Sequence, residues 1–225
     1  MARYEYLWTH AMNSDETYAA ILKFCDFSVD PSPECRNVLN ESDNERGNID
    51  IYNIYGPPKC DDNLLAAPKP SSIHDFGPCS DSYVHDYLNC RRVQKALHAN
   101  VMGLTDEWKH CRHGLNSYGY KPPSILPNIR SIISSGIPVW LYSGDMDSVV
   151  PVSSTRYSIN KLRLPIENSW RPWYTNNQVG GYVVEYKGLV FATVRGAGHT
   201  VPSYQPERAL TLFSSFLQGE LPPAS

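Results

Sequence analysis

Pro138-Val139-Trp140-Leu141-Tyr142-Ser143-Gly144-Asp145-Met146-Asp147-Ser148-Val149-Val150-Pro151 joins an uninterrupted apolar run to a loop rich in small and acidic residues. Short apolar runs of this kind mark parallel strands that are covered on both faces. In open α/β sheets, reactive side chains gather in the loops at the carboxyl ends of strands. Asp145 and Asp147 are therefore candidates. A second stretch has the same design. Leu189-Val190-Phe191-Ala192-Thr193-Val194 leads into Arg195-Gly196-Ala197-Gly198-His199-Thr200-Val201-Pro202.

The pattern around these two stretches is regular. Ser124 can cap a helix with Ile125, Ile129, Ile132 and Ile133 on one face and Gly136 at its end. A further helix is expected from about 153 to 162. Gly181-Tyr182-Val183-Val184-Glu185-Tyr186 and the run from Leu189 flank Lys187-Gly188, a hairpin signal. Pro206 opens a last helix that stops before Gly219, with Ala209, Leu210, Leu212, Phe213, Phe216 and Leu217 as its buried side. Helix, strand, helix, strand pair, helix is the tail of an α/β sheet protein.

The first half reads differently. Residues 14–24 form a helix opened by Ser14, and residues 80–99 form two short ones. Between them, residues 28–80 are rich in proline and cysteine and poor in periodicity, which predicts an irregular, disulfide-tied insertion. The expected division is a helical insertion subdomain over 1–122 and a sheet core over 123–225.

A carboxylate after one strand and a histidine after the last match the Asp and His of a hydrolase triad, in the chain order Ser…Asp…His. Histidine takes a proton from a nucleophile and returns it. The carboxylate fixes its tautomer and stabilises the imidazolium. Asp147 lies deeper in its loop, just before Val149-Val150, and is the expected partner of His199. Asp145, beside Gly144, is expected to bind backbone amides and shape the loop. Gly196 and Gly198 allow the sharp turn that brings His199 over the site. His10, His74, His85, His98, His110 and His113 have no comparable context.

Composition narrows the rest. A net charge of −3 offers no basic footprint for nucleic acid. No apolar run approaches the roughly 20 residues of a membrane span. Residues 1–8 hold no apolar signal core. Six cysteines between Cys25 and Cys111, without a C-x-x-C pair, favour disulfides in an oxidising compartment over zinc. Asn40-Glu41-Ser42 is a glycosylation sequon. No metal and no cofactor is expected.

These residues carry a resemblance. The segment from Gly144 to Pro151, followed by Thr155-Arg156-Tyr157, resembles the triad-aspartate segment of the serine carboxypeptidases. The segment around Gly196-Ala197-Gly198-His199 is similar to that family's histidine signature. Ser169-Trp170-Arg171-Pro172-Trp173-Tyr174 and Gly180-Gly181-Tyr182 resemble segments of its plant members. Tyr6-Leu7-Trp8-Thr9-His10, Ile49-Asp50-Ile51-Tyr52-Asn53-Ile54-Tyr55 and Val93-Gln94-Lys95-Ala96-Leu97-His98 also fit. The match covers nearly the whole chain and corresponds to the C-terminal half of a family member.

The resemblance implies a partial α/β-hydrolase fold with a Cys/Pro-rich helical insertion, lacking the N-terminal strands. It implies release of a C-terminal residue through an acyl-enzyme, with Asp147 and His199 catalytic, and a secretory, extracellular or vacuolar setting with Asn40 glycosylated. Cys25 would pair with Cys35 and Cys60 with Cys79, while Cys111 lacks its family partner and Cys90 is left over. Trp170, Trp173 and Tyr174 would line an acyl-side pocket, with ordinary packing as the alternative. Relatives on this fold also act as acyltransferases and hydroxynitrile lyases.

One departure is decisive for the expected activity. The family nucleophile sits in Gly-x-Ser-x-Gly, and no such pentapeptide exists here. Gly114-Leu115-Asn116-Ser117-Tyr118-Gly119 is the nearest imitation, with its first glycine one residue too far. The expectation is a chain inactive alone, acting on a peptide substrate only when a Ser-bearing N-terminal chain supplies the missing half or when the chain is part of a longer product. The other readings are a non-enzymatic remnant, a binding-only relative, or a family acyltransferase or lyase.

Overall fold

Apolar runs with β-branched and aromatic residues become the centre of one mixed sheet. The structure, a computed structural model, describes residues 1–56, 80–99, 103, 106–109 and 124–225. Among these the elements run α1 (Ala2–Thr9), α2 (Asp15–Phe24), α3 (Pro33–Arg46), α4 (Ser80–Asn89), α5 (Arg91–Ala96), α6 (Leu126–Ser134), β1 (Val139–Gly144), α7 (Val152–Asn160), β2 (Ile166–Thr175), β3 (Gln178–Tyr186), β4 (Leu189–Val194), α8 (Val201–Tyr204) and α9 (Pro206–Gln218). The sheet order is β1-β4-β3-β2. β1 and β4 are parallel, with Val139 opposite Leu189 and Gly144 opposite Val194. β3 is antiparallel to both β4 and β2.

Every residue of β4 is buried. Its two faces feed two cores. Val190, Ala192 and Val194 pack with Trp173, Val183 and Leu212, so α9 covers that face. Leu189 and Phe191 pack with Val184, Ile159 and Leu162, so α7 covers the other, with Ile129 and Ile133 of α6 against it. A third cluster joins Tyr6, Leu7 and Met12 to Ile54, with Met146 against it.

Contacts divide the chain into two compact units. One holds residues 1–56 and 124–225, the other residues 57–123. The division expected from the sequence placed all of 1–122 in one subdomain. In the structure residues 1–56 pack with the sheet instead, because α1 and the turns at 50–56 bond to the loops that follow β1 and β4. In the other unit α4 and α5 are described, and Asn89 binds the backbone of Trp108 through both its amide nitrogen and its amide oxygen.

Three local expectations change. Residues 33–46, expected to be irregular, form α3. Ser32 caps it by accepting the Cys35 N–H at 3.1 Å, and Pro33 occupies its first turn. Only Cys35 and Ser42 of α3 are buried, so no apolar stripe announced it. Residues 166–175 form β2, an edge strand that tolerates Pro172. The apolar side of α9 is mostly open: Leu212 is buried, while Leu210, Phe213 and Leu217 are more than half exposed.

Among the described residues, no helix is long and apolar enough to cross a membrane.

Candidate active site

Parallel pairing of β1 with β4 places the loops after Gly144 and Val194 side by side at the carboxyl ends of the strands. The two loops then bind each other. Asp145 N–H donates to Val194 O at 3.2 Å, and Met146 N–H to Ala197 O at 2.9 Å. The Asp145 carboxylate accepts the Gly196 N–H at 2.7 Å. Burial pushes the Asp145 carboxyl above its ordinary pKa, opposed by the N–H groups of Gly196 and Ala197. Asp145 therefore shapes the loops, as its position beside Gly144 suggested.

Asp147 and His199 meet. His199 Nδ1 lies 2.8 Å from Asp147 Oδ2. A carboxylate oxygen only accepts, so Nδ1 carries a proton, and in the neutral imidazole this leaves the lone pair on Nε2. The other oxygen of Asp147 accepts the N–H groups of Val149 at 2.7 Å and Val150 at 3.3 Å. Asp147 is 4% exposed, so these three bonds replace water around its charge. The His199 side chain is 38% exposed, which leaves the imidazole open to a reacting group. Among the described residues no hydroxyl or thiol hydrogen-bonds the imidazole.

Both expected glycines serve the turn. Gly196 has φ +73°, a left-handed conformation that favours glycine. At Gly198 a Cβ would strike the carbonyl oxygen of Tyr52. That clash points to contacts the sequence reading missed. His199 N–H donates to Tyr52 O at 2.8 Å. Ser148 donates to Ile51 O from its N–H at 3.0 Å and its hydroxyl at 2.7 Å. Ile54 N–H donates to Met146 O at 3.0 Å. The Tyr52 ring lies 5.3 Å from the His199 ring, centroid to centroid. Tyr6 donates its hydroxyl to Asp145 O at 2.5 Å.

The three aromatic pocket candidates part company. Trp173 is fully buried, with its indole N–H bonded to Thr193 O at 3.0 Å, and belongs to the core. It cannot line a pocket. Tyr174 is half-buried, and its N–H donates to Pro223 O at 2.9 Å. Trp170 is exposed, stacked on Tyr182 at 5.5 Å and under the Arg156 guanidinium at 4.7 Å. It borders an open cavity of about 380 Å³ with Tyr6, Thr9, His10 and Asp145, and neither Asp147 nor His199 lines that cavity.

Cys25 and Cys35 form a disulfide, with Cα atoms 4.9 Å apart. Cys90 carries a free, exposed thiol. Cys60, Cys79 and Cys111 lie outside the described residues. Asn40 is exposed on α3, while Ser42 of its sequon is buried and donates to Asn13 Oδ1 at 2.8 Å.

Comparison with known proteins follows this geometry. The family model for serine carboxypeptidase matches residues 1–219. Serine carboxypeptidase 24 of Arabidopsis thaliana is 44% identical over 96% of the chain and 50% of its own length. Serine carboxypeptidase II-1 of Hordeum vulgare is 41% identical over 96% of the chain and 69% of its own length. The P-(S)-hydroxymandelonitrile lyase of Sorghum bicolor is 42% identical over 98% of the chain and 47% of its own length. The chain thus spans about half the length of most of these relatives. Among solved structures, a prohormone-processing carboxypeptidase of Saccharomyces cerevisiae superposes with a TM-score of 0.63 at 18% identity, over 95% of the chain and 51% of its own. That likeness speaks to the fold alone, and it agrees with a partial α/β-hydrolase fold.

Proposed function

The chain belongs to the serine carboxypeptidase family, and from that premise we propose that Asp147 and His199 are the acid–base part of a Ser-His-Asp hydrolase whose serine lies outside residues 1–225. The observation that carries this reading is the 2.8 Å contact between His199 Nδ1 and a buried Asp147 oxygen. It presets the tautomer in which Nε2 is the base.

With a serine in reach, Nε2 removes the hydroxyl proton as oxygen attacks the last peptide carbonyl. The imidazolium, stabilised by Asp147, then gives that proton to the departing amine. The C-terminal residue leaves and an acyl-enzyme remains. Water, deprotonated by Nε2, attacks the ester carbonyl; the C–O bond to serine breaks, the imidazolium returns the proton to the serine oxygen, and the shortened peptide leaves. No metal or cofactor enters these steps. The serine would come from a Ser-bearing segment, on a partner polypeptide or on a longer form of this chain, and the substrate would be a peptide. The Cys25–Cys35 disulfide supports an oxidising, secretory setting.

A second reading has one specific support. The sorghum lyase is nearly as similar to the chain as the Arabidopsis carboxypeptidase, 42% against 44%. The same base would then take the hydroxyl proton of a cyanohydrin as its bond to the cyanide carbon breaks, and return that proton to the departing cyanide, leaving a carbonyl compound and HCN.

The experiment assays the 225-residue chain with a blocked dipeptide and with an aromatic cyanohydrin, alone and with the Ser-bearing half of a family member. The expected result is no turnover alone and peptide cleavage with the partner, abolished by His199→Ala. Turnover by the chain alone that His199→Ala removes would defeat the proposal that its serine lies elsewhere. Cyanide release without peptide cleavage would replace the peptidase reading by the lyase.

A further inference from the structure

The two loops are held by each other and also by a short strap of chain at residues 51–54, far from them in sequence. The strap is preorganised. Asp50 accepts the Tyr52 N–H on its side-chain oxygen at 3.1 Å. The Asn53 N–H donates to Asp50 O at 3.1 Å and the Gly56 N–H to Asn53 O at 2.9 Å. These turns use the amides of Tyr52 and Asn53 internally and leave the carbonyls of Ile51 and Tyr52 for the loops. Ile51 O takes both donors of Ser148, the residue after Asp147. Tyr52 O takes the N–H of His199 itself. Ile54 then returns its own N–H to Met146, the residue before Asp147. One strap thus brackets Asp147 on both sides and grips the backbone of His199.

We propose that residues 51–54 are a positioning element of the Asp147–His199 pair and that Tyr52 is its principal positioning residue. This rests on the reading of that pair as a hydrolase acid and base. Tyr52 acts twice. Its carbonyl fixes where the His199 backbone sits. Its ring, 5.3 Å from the imidazole and inclined by 60°, walls one side of the histidine and limits its χ rotations to those that keep Nδ1 on Asp147. The imidazole needs such a wall, because its side chain is 38% exposed and the described residues give it only the one hydrogen bond, to Asp147. Glycine at 198 is part of the same device, since a Cβ there would strike the Tyr52 carbonyl and push the strap away. The Tyr52 hydroxyl has no part in this proposal.

The test compares Tyr52→Phe, Tyr52→Leu and Tyr52→Ala in the 225-residue chain, each first checked for a cooperative thermal melt. The spectroscopic signature is the downfield proton resonance of His199 Nδ1–H bonded to a carboxylate. Tyr52→Phe is expected to keep it. Tyr52→Leu and Tyr52→Ala are expected to lose or broaden it while the protein stays folded. If Tyr52→Ala unfolds, Tyr52→Leu, which keeps apolar bulk, decides. A folded Tyr52→Leu with the resonance of the wild type overturns the proposal.

The second arm uses the chain assembled with a Ser-bearing half. There kcat should fall about 10- to 100-fold in Tyr52→Leu, with KM little changed, because placement and not binding is lost. Tyr52→Phe should restore the rate. The arms separate the two readings. A resonance that depends on the ring, in an assembly that never cleaves peptide, leaves the positioning role and removes the hydrolase. Peptide cleavage with neither resonance nor kcat sensitive to the ring removes the positioning role and leaves the hydrolase.

Discussion

Two aspartates two positions apart are divided by what each oxygen touches. Asp147 spends one oxygen on the amides of Val149 and Val150 and the other on His199. Asp145 gives an oxygen to the amide of Gly196 in the opposite loop. Because burial raises the Asp145 pKa above its ordinary value of 3.8, the folded chain holds that proton to higher pH than the unfolded chain does. The cost of the buried charge is thus absent at low pH and complete above the folded pKa. Asp145→Asn carries no such charge. Wild-type stability measured against Asp145→Asn should therefore decline as pH rises through the acid range from about 4 and level off above it. Thermal melts of both proteins across that range check this, and parallel curves would refute it. Trp173→Ala, at a fully buried site, should cost about 3–5 kcal/mol in urea unfolding. Trp170→Ala should cost below about 1.5 kcal/mol, since only a stack and a cation–π contact are lost. Equal costs would return Trp173 to the surface. The meeting of Asp147 with His199 was legible because each follows an apolar strand and carries a polar side chain in the adjoining loop. Tyr52 was not, because it grips His199 through a backbone carbonyl that any residue supplies.

At the scale of elements, legibility followed periodicity. α2, α6, α7, α9, β1, β3 and β4 lie where apolar spacing puts them, although α6 starts at Leu126 with Ile125, not the expected Ser124, as its N-cap. α3 and β2 escaped, one for want of an apolar stripe and the other because proline and polar residues suit an edge. What holds α3 is its union with α2. The Cys25–Cys35 bond ties the end of α2 to the first turn of α3, across a sequence separation of 10. Glu45 of α3 accepts the Ser14 N–H, the Ser14 hydroxyl and the Thr17 hydroxyl at the start of α2. Burial alone would raise the Glu45 pKa, but these bonds lower it. Replacing both Cys25 and Cys35 by serine should cost about 2–3 kcal/mol, the chain-entropy value for so short a loop. Urea curves of the oxidised protein and the double variant measure it. Coincident curves would mean that the Glu45 contacts suffice.

At the scale of the whole molecule, the described sheet ends in two edge strands, β2 with its proline and polar residues and β1 without a charge. Among the described residues β1 pairs only with β4. It carries no charged residue, and Tyr142 is 54% exposed. Beside it runs an apolar groove of about 570 Å³ bordered by Trp140, Tyr142, Pro202, Phe213 and Phe216. Parallel strands are normally covered, and uncharged free edges pair with other chains. The 225-residue chain alone should therefore self-associate with rising concentration, and Tyr142→Lys should suppress this in light scattering. A wild-type chain that stays monodisperse at high concentration would contradict it. The open apolar side of α9 belongs to the same face, and the sequence could not announce it, because an apolar stripe reads alike whether or not it is covered.

The bonds of Asp147 have a consequence for lineage. Its carboxylate closes the turn at Val149 and Val150 and ties down a neighbouring loop through His199. Both tasks persist when no peptide is ever cut. A descendant that had given up its nucleophile would still be held to this aspartate and this histidine by the need to fold. Finding the two together in a genome is thus a mark of ancestry before it is a mark of turnover.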